Sequence, residues 1–220
     1  MHRKSHLDER LSACGNYLTV ADLTDKNMRT ASQVKEELDF NGIFGNFNPV
    51  QLEIGCGKGK FICELAKRHP DLNFIAVEKI SNVLIEAVER AIAEELKNVH
   101  FINSACEVLP RYIKAGSIDK IYLNFSNPLP KQGYVKQRLT HPKFLEEYRG
   151  FLRDGGLIVQ KTDDRNFYEF SLESYRSCGY GILEQCEELA SLADPENIVT
   201  EHEKKFMDEG KKIYRIIARS

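Results

Sequence analysis

Residues 52–59, Leu-Glu-Ile-Gly-Cys-Gly-Lys-Gly, constrain the fold more than any other stretch of this chain. An apolar run of Val50, Leu52 and Ile54 ends in three glycines that alternate with Cys56 and Lys58. A helical apolar pattern, Phe61, Ile62, Leu65 and Ala66, follows at once. A buried strand, a tight turn and a helix in that order make the first βα unit of a nucleotide-binding sheet. Glycine suits such a turn because it takes positive φ at little steric cost and lets the backbone approach a ligand. The spacing G-x-G-x-G is one residue shorter than the dinucleotide fingerprint G-x-G-x-x-G. Glu53 also places a carboxylate at the strand end, which suits a cationic amino-acid group better than a pyrophosphate. Both details favour S-adenosyl-L-methionine over a nicotinamide dinucleotide, with Glu53, Gly55, Gly57 and Gly59 as cofactor-binding candidates.

Strand and helix alternate from there on. Strands are expected at 50–54, 73–77, 99–102, 118–125 and 157–161, with helices at 58–68, 81–97, from Thr140 to the stop at Asp154-Gly155-Gly156, and at 164–177. Apolar positions Val83, Leu84, Ala87, Val88, Ala91 and Ile92 form the stripe of a helix laid on a sheet. Such alternation predicts an α/β fold with a doubly wound, mostly parallel Rossmann-like sheet. Two late strands, 181–187 and 212–218, have no helix read between them and predict an antiparallel C-terminal edge strand. Residues 1–48 lack this order. They read as a partly flexible N-terminal arm with a basic start, His2 to His6, followed by one domain at 49–220.

Composition narrows the class less. A chain of 220 residues fits a single domain, and a net charge of −2 gives no overall basic field for nucleic acid. The six cysteines show neither a C-x-x-C pair nor Cys/His metal spacing, and the histidines have no ligand spacing, so no metal site is expected. Without a signal peptide or an apolar run of membrane-spanning length, the chain is expected to be cytoplasmic with reduced thiols and no membrane contact. Cys56, inside the turn, reads as a small residue that fits rather than a reactive thiol.

Glu78 closes the second strand about 20 residues beyond the glycines, where an acidic side chain accepts hydrogen bonds from a ribose. Its alternative is a helix-dipole role at the start of the next helix. The loop after the third strand, Asn103-Ser104-Ala105, is expected to flank the adenine. Beyond the fourth strand, Asn124-Phe125-Ser126-Asn127-Pro128-Leu129-Pro130-Lys131 is stiffened by two prolines and followed by Tyr134, Lys136 and Arg138. A rigid, basic, aromatic-bearing loop at the cofactor end of a sheet suits phosphate and base contact, and a solvated loop with scattered lysines is the equal alternative. Thr200-x-x-Glu203 reads as a capping box with Phe206 as the first buried residue. Asp163 and Asp164 end the fifth strand, where either could cap the next helix.

These residues together resemble the bacterial tRNA (guanine-N7-)-methyltransferase family. The likeness rests on Leu52-Glu53-Ile54-Gly55 with Gly57-Lys58-Gly59, Asn124-Phe125-Ser126 with Pro128 and Pro130-Lys131, Arg138-Leu139-Thr140, Lys161-Thr162-Asp163, and Thr200-Glu201 with Glu203 and Phe206. It implies a class I methyltransferase fold that moves a methyl group from S-adenosyl-L-methionine to N7 of the guanine at position 46 in the tRNA variable loop. It implies cofactor contacts at Glu53 and Glu78, and tRNA or guanine contacts at Lys131, Asp163, Thr200 and Glu203. Three positions depart from the family pattern. Ser104 replaces an acidic residue on the adenine side, Asn127 an Asp at the position regarded as catalytic and cofactor-facing, and Leu129 a Trp. Guanine N7 has an in-plane lone pair and needs no general base, so alignment dominates and Asn127 is expected to slow the reaction. Alternatives are a methyltransferase for another RNA or a small molecule, and a non-catalytic tRNA- or cofactor-binding relative. One small acidic domain offers limited surface for tRNA, which is compatible with a homodimer, although no residue pattern marks an interface.

Overall fold

The computed structural model describes residues 3–21 and 35–220. His2 and the part of the N-terminal arm at 22–34 lie outside the described residues. The chain divides into two compact units, one up to Lys114 and one from Ala115 to Ser220.

In the first unit, strands β1 (Leu18–Val20), β2 (Val50–Ile54), β3 (Asn73–Glu78) and β4 (Val99–Asn103) are all parallel, in the order β1-β4-β3-β2. Every residue of β2 and β4 is buried, and all of β3 except Glu78. Continuous burial of this kind belongs to parallel strands covered on both faces. Among its described residues the unit also holds helices α1 (Leu7–Ala13), α2 (Phe40–Phe44), α3 (Lys60–Arg68), α4 (Ser81–Ala93) and α5 (Leu109–Tyr112), with 3₁₀ turns at Gly15–Tyr17 and Cys106–Val108. The buried face of α4 is Leu84, Ile85, Ala87, Val88 and Ala91; four of these belong to the expected stripe, Ile85 joins them, Val83 is half-buried and Ile92 is exposed. The helix ends earlier than its apolar pattern suggests, at Ala93, and Glu95 takes a left-handed φ of 53° as the chain turns away.

Within the arm, α1 lies on α4, where the Arg10 guanidinium forks onto Glu89 at 2.7 and 2.6 Å and the Lys4 amide donates to Asn82 Oδ1. Strand β1 adds to β4 and was not foreseen, because Leu18-Thr19-Val20 is too short for alternation to register. His100 of β4 ties it down. Its Nδ1 lies 2.8 Å from the Asn16 carbonyl and its Nε2 lies 2.9 Å from Thr19 Oγ1. The carbonyl requires Nδ1–H, burial favours the neutral ring, and Nε2 of that tautomer accepts from the hydroxyl.

The second unit holds β5 (Ile118–Asn124), α6 (Pro142–Phe151), β6 (Leu152–Thr162), α7 (Arg165–Ser177), β7 (Gly181–Cys186), α8 (Glu201–Asp208) and β8 (Tyr214–Arg219). Strand order is β5-β6-β8-β7, with β5 and β6 parallel and β8 antiparallel to both neighbours. The antiparallel edge is therefore present, with C-terminal β8 as its inner strand and β7 at the rim. Two expectations need correction. Asp154-Gly155-Gly156 does not end α6; β6 starts directly at Leu152, and these residues bulge between the pairs Ile118↔Leu152 and Lys120↔Leu157. Gly155 takes φ 71°, which a bulge accommodates most easily with glycine. Between β7 and β8 the chain also forms a 3₁₀ turn at Leu189–Leu192 and then α8, the helix whose start the Thr200-x-x-Glu203 spacing marks.

Burial pulls the His100 pKa below its ordinary 6.5. Stability is then complete above the unfolded-state pKa and is lost as pH falls through 6.5 toward the lower folded value, because the unfolded chain takes up the proton first. Melting temperatures at about pH 7.5 and about pH 5.5 should differ less in His100→Gln than in the parent protein. An unchanged difference would place the acid sensitivity elsewhere.

Candidate functional site

The carboxyl ends of β2, β3 and β4 meet within the first unit. Glu53, only 2% exposed, lies near the end of β2, and Gly55, Gly57 and Gly59 take φ of 85°, 58° and 76°. The amides of Gly55 and Cys56 both donate to the Val77 carbonyl, at 2.8 and 2.9 Å. Glu78 accepts from Gly57 N at 3.2 Å through one carboxylate oxygen and from Ile80 N at 2.8 Å through the other. Asn103 completes the lacing: its amide group donates to the carbonyls of Glu78 and Lys79, and its Oδ1 accepts from Ser81 Oγ at 2.7 Å. Asn103 was read only as an adenine neighbour; its side chain holds the β3–α4 loop to the end of β4.

This end fits S-adenosyl-L-methionine. A Cβ built on Gly55 or Gly57 meets nothing within 4 Å, so the turn faces open space. Two bonds to Glu78 leave lone pairs on its carboxylate for ribose hydroxyls. Burial, then the negative charges of Glu53 and Glu78, push the Cys56 thiol well above its usual range. The thiol form is thereby favoured, and two carboxylates beside the turn suit a cationic group better than a pyrophosphate. Gly59 has a different reason for being glycine: a Cβ there would lie 2.6 Å from Ala87 Cβ, where α3 and α4 touch. Ser104 is 1% exposed with Oγ donating to the Ala105 carbonyl, so its hydroxyl is committed to the loop.

The acceptor candidates gather in the second unit. After β5 the chain passes through two left-handed non-glycine residues, Phe125 (φ 51°) and Leu129 (φ 44°). Such conformations cost about 1–3 kcal/mol each and persist only where the surroundings impose them. Phe125 N is held by the Lys161 carbonyl at 2.9 Å, and its ring lies against His202 and Phe206. Asn127 is exposed, with Oδ1 accepting from Leu129 N at 3.0 Å in an Asx turn. Arg138, read as part of the basic loop, donates to the Leu129 carbonyl and sits 4.5 Å above the Phe170 ring. It clamps the loop, while Lys131, Tyr134 and Lys136 are the exposed members.

Lys161, at the carboxyl end of β6, is buried to 3% exposure and its Nζ donates to Asn197 Oδ1, the Ile198 carbonyl and Glu203 Oε2. Glu203, 1% exposed, also accepts from Asn197 Nδ2 at 2.6 Å. Thr200 Oγ1 caps α8 by accepting from Glu203 N at 2.9 Å. The cap is half of the expected box, because the Glu203 carboxylate turns inward to Lys161. Of the two aspartates, Asp164 caps α7 through Phe167 N at 2.7 Å, whereas Asp163 pairs with Lys211 at 3.2 Å. Asp163 therefore borders the Phe125–His202–Phe206 cluster through Lys211, which lies 4.3 Å over Phe206. No sequence signal pointed to His202, whose partner Phe125 is 77 positions away in the chain. Among the described residues no His, Cys, Asp and Glu side chains group to hold a metal ion, and no helix is long and apolar enough to cross a membrane.

Known proteins share this fold. A family model described as "Putative methyltransferase" matches residues 47–216. The chain is 44% identical over 176 residues to a tRNA (guanine-N(7)-)-methyltransferase from Alkaliphilus oremlandii, covering 80% of this chain and 83% of that protein. Among solved structures it is similar to an antibiotic-related methyltransferase with a TM-score of 0.66 and 19% identity, over 87% of this chain and 98% of that one. The 16S rRNA methyltransferase KamB gives a TM-score of 0.60 at 13% identity, over 90% of this chain and 94% of that one. At these identities the two structures show the fold alone, a class I methyltransferase fold.

Three substitutions test the framework. Gly59→Ala should destabilise the protein by about 1–3 kcal/mol in denaturant titration, through the clash with Ala87 and the positive φ. Lys161→Met should cost about 3–5 kcal/mol because it strands the Glu203 carboxylate, and Lys161→Met combined with Glu203→Leu should recover much of that loss. A double variant no more stable than the single would show that the buried charge is not what matters.

Proposed function

The chain belongs to the tRNA (guanine-N7-)-methyltransferase family, and from that membership we infer that it methylates N7 of a guanine in tRNA, with S-adenosyl-L-methionine as methyl donor. The structural observation that carries the reading is the glycine turn, open at Gly55 and Gly57 and flanked by the carboxylates of Glu53 and Glu78. When bound, S-adenosyl-L-methionine supplies a methyl group activated by the positive charge on its sulfonium. Glu53 faces the cationic amino-acid portion and Glu78 the ribose, with Ser104 contributing its main chain beside the adenine. Asn127, Lys131, Asp163 and Thr200 serve the acceptor, while Glu203 acts through Lys161 by fixing the first turn of α8.

The protein's task is alignment. N7 carries its lone pair in the ring plane, and no proton has to leave before it attacks. Positive charge then grows on the guanine, and a carboxylate nearby would stabilise it. Asn127 lacks that charge, and its oxygen already accepts from Leu129 N. We assign the catalytic domain to residues 49–220 and the preceding residues to an N-terminal arm. The exposed Lys131 and Lys136 meet tRNA phosphates, a cytoplasmic enzyme fits this substrate, and a homodimer would extend the surface offered to it.

Incubating the protein with labelled S-adenosyl-L-methionine and tRNA lacking N7-methylguanosine should label the tRNA at guanine N7. Cofactor binding without any transfer would overturn this reading and favour a tRNA- or cofactor-binding protein, the reading that Asn127 itself supports. Asn127→Asp should raise the transfer rate, on the order of tenfold, since an aspartate oxygen can keep the Leu129 bond and add charge. An equal or lower rate would show that the missing charge does not limit turnover.

A further inference from the structure

Three rings at the carboxyl ends of β5 and β6 lie outside the buried core. Phe125 and His202 stack with centroids 6.2 Å apart and planes within 21°, and Phe206 closes the group at 5.7 Å from Phe125 and 6.2 Å from His202. His202 is exposed, and Phe125 and Phe206 are half-buried. Phe125 takes a left-handed conformation, and its half-buried ring packs on His202 and Phe206. Beside it, Ser126 Oγ is inaccessible to solvent and has no hydrogen-bond partner among the described residues. A strained loop, an orphan hydroxyl and an exposed stacked ring thus coincide within the second unit, next to the Asp163–Lys211 pair.

We propose that His202, backed by Phe125, is the stacking platform that grips the acceptor guanine. This rests on the tRNA-methylation reading and names a substrate-positioning residue for it. Stacking holds a purine by its faces and leaves its edge free, and N7 presents its lone pair at that edge. The π faces of the imidazole and phenyl rings also attract the positive charge that develops on the guanine during transfer. The rings grip any base alike, so they supply placement, while edge contacts supply the choice of guanine. Asp163, bordering the cluster, is placed to accept from a guanine N–H.

Two readouts test the platform. His202→Ala should raise the KM for unmodified tRNA about tenfold or more while changing kcat less, and His202→Phe should restore KM to within about threefold. His202 is exposed, so these variants should unfold at the parent's melting temperature. The protein contains no tryptophan, so His202→Trp installs a single reporter at the platform. Its emission should be quenched by unmodified tRNA, and much less by the same tRNA with an abasic nucleotide in place of the acceptor guanine. An unchanged KM in His202→Ala, no rescue by His202→Phe, or equal quenching by both tRNAs overturns the proposal. Failure of the underlying function is a separate outcome, seen as no methyl transfer by the unsubstituted protein, and the fluorescence comparison still decides the platform because it needs no transfer.

Discussion

Parallel strands end together, and their carboxyl ends leave carbonyls, amides and loop side chains that must be satisfied before any ligand is held. In the first unit Glu78 and Asn103 meet this constraint. Glu78 bonds Gly57 N and Ile80 N with its carboxylate, and its own carbonyl accepts from Ser104 N and from the Asn103 side chain. Three loops that belong to three strands are thereby fixed before a cofactor arrives. Preorganisation of this kind is what lets a positioning enzyme work without moving its frame. It also explains why the turn tolerates open glycines: the main chain is held from behind.

A buried ammonium organises the second unit. Lys161 reaches Asn197, Ile198 and Glu203 at once, joining the end of β6 to the segment before α8 and to the first turn of that helix. A charge so deeply buried persists only with its partners in place. Its consequence lies at the surface. With α8 fixed, His202 and Phe206 meet Phe125, whose amide is bonded to the Lys161 carbonyl. One residue thus sets both the main-chain path of the strained loop and the helix that packs on it. The Arg138 guanidinium, on Phe170 and the Leu129 carbonyl, holds the far end of the same loop.

Most of the strand and helix order was legible because each element has an apolar period long enough to read. The βα unit at 50–68 and the α4 stripe are the clearest cases, and the Thr200 cap also stands as its spacing suggests. Legibility failed where local signals were short or pointed two ways. Leu18–Val20 is too brief to show alternation, and its place beside β4 depends on His100 and the backbone ladder. Asp154-Gly155-Gly156 looks like a helix stop because glycine marks bulges and caps alike. Arg138 reads as one more basic residue of the loop and Glu203 as half of a capping box, since composition says nothing of which charge finds a buried partner.

The sequence by itself determined the α/β alternation, the glycine turn with its two carboxylates, the donor that turn suits, and the family likeness that names the acceptor. These are properties of contiguous residues, and spacing along the chain is enough to express them. Only the tertiary structure decided that Gly59 is a packing glycine, that Glu203 belongs to Lys161 while Asp163 stays at the surface, and that His202 meets Phe125. Each of those roles depends on residues far apart in the chain being brought within a few ångströms, and no local pattern records which side chains will share a low-dielectric interior and which will remain in water.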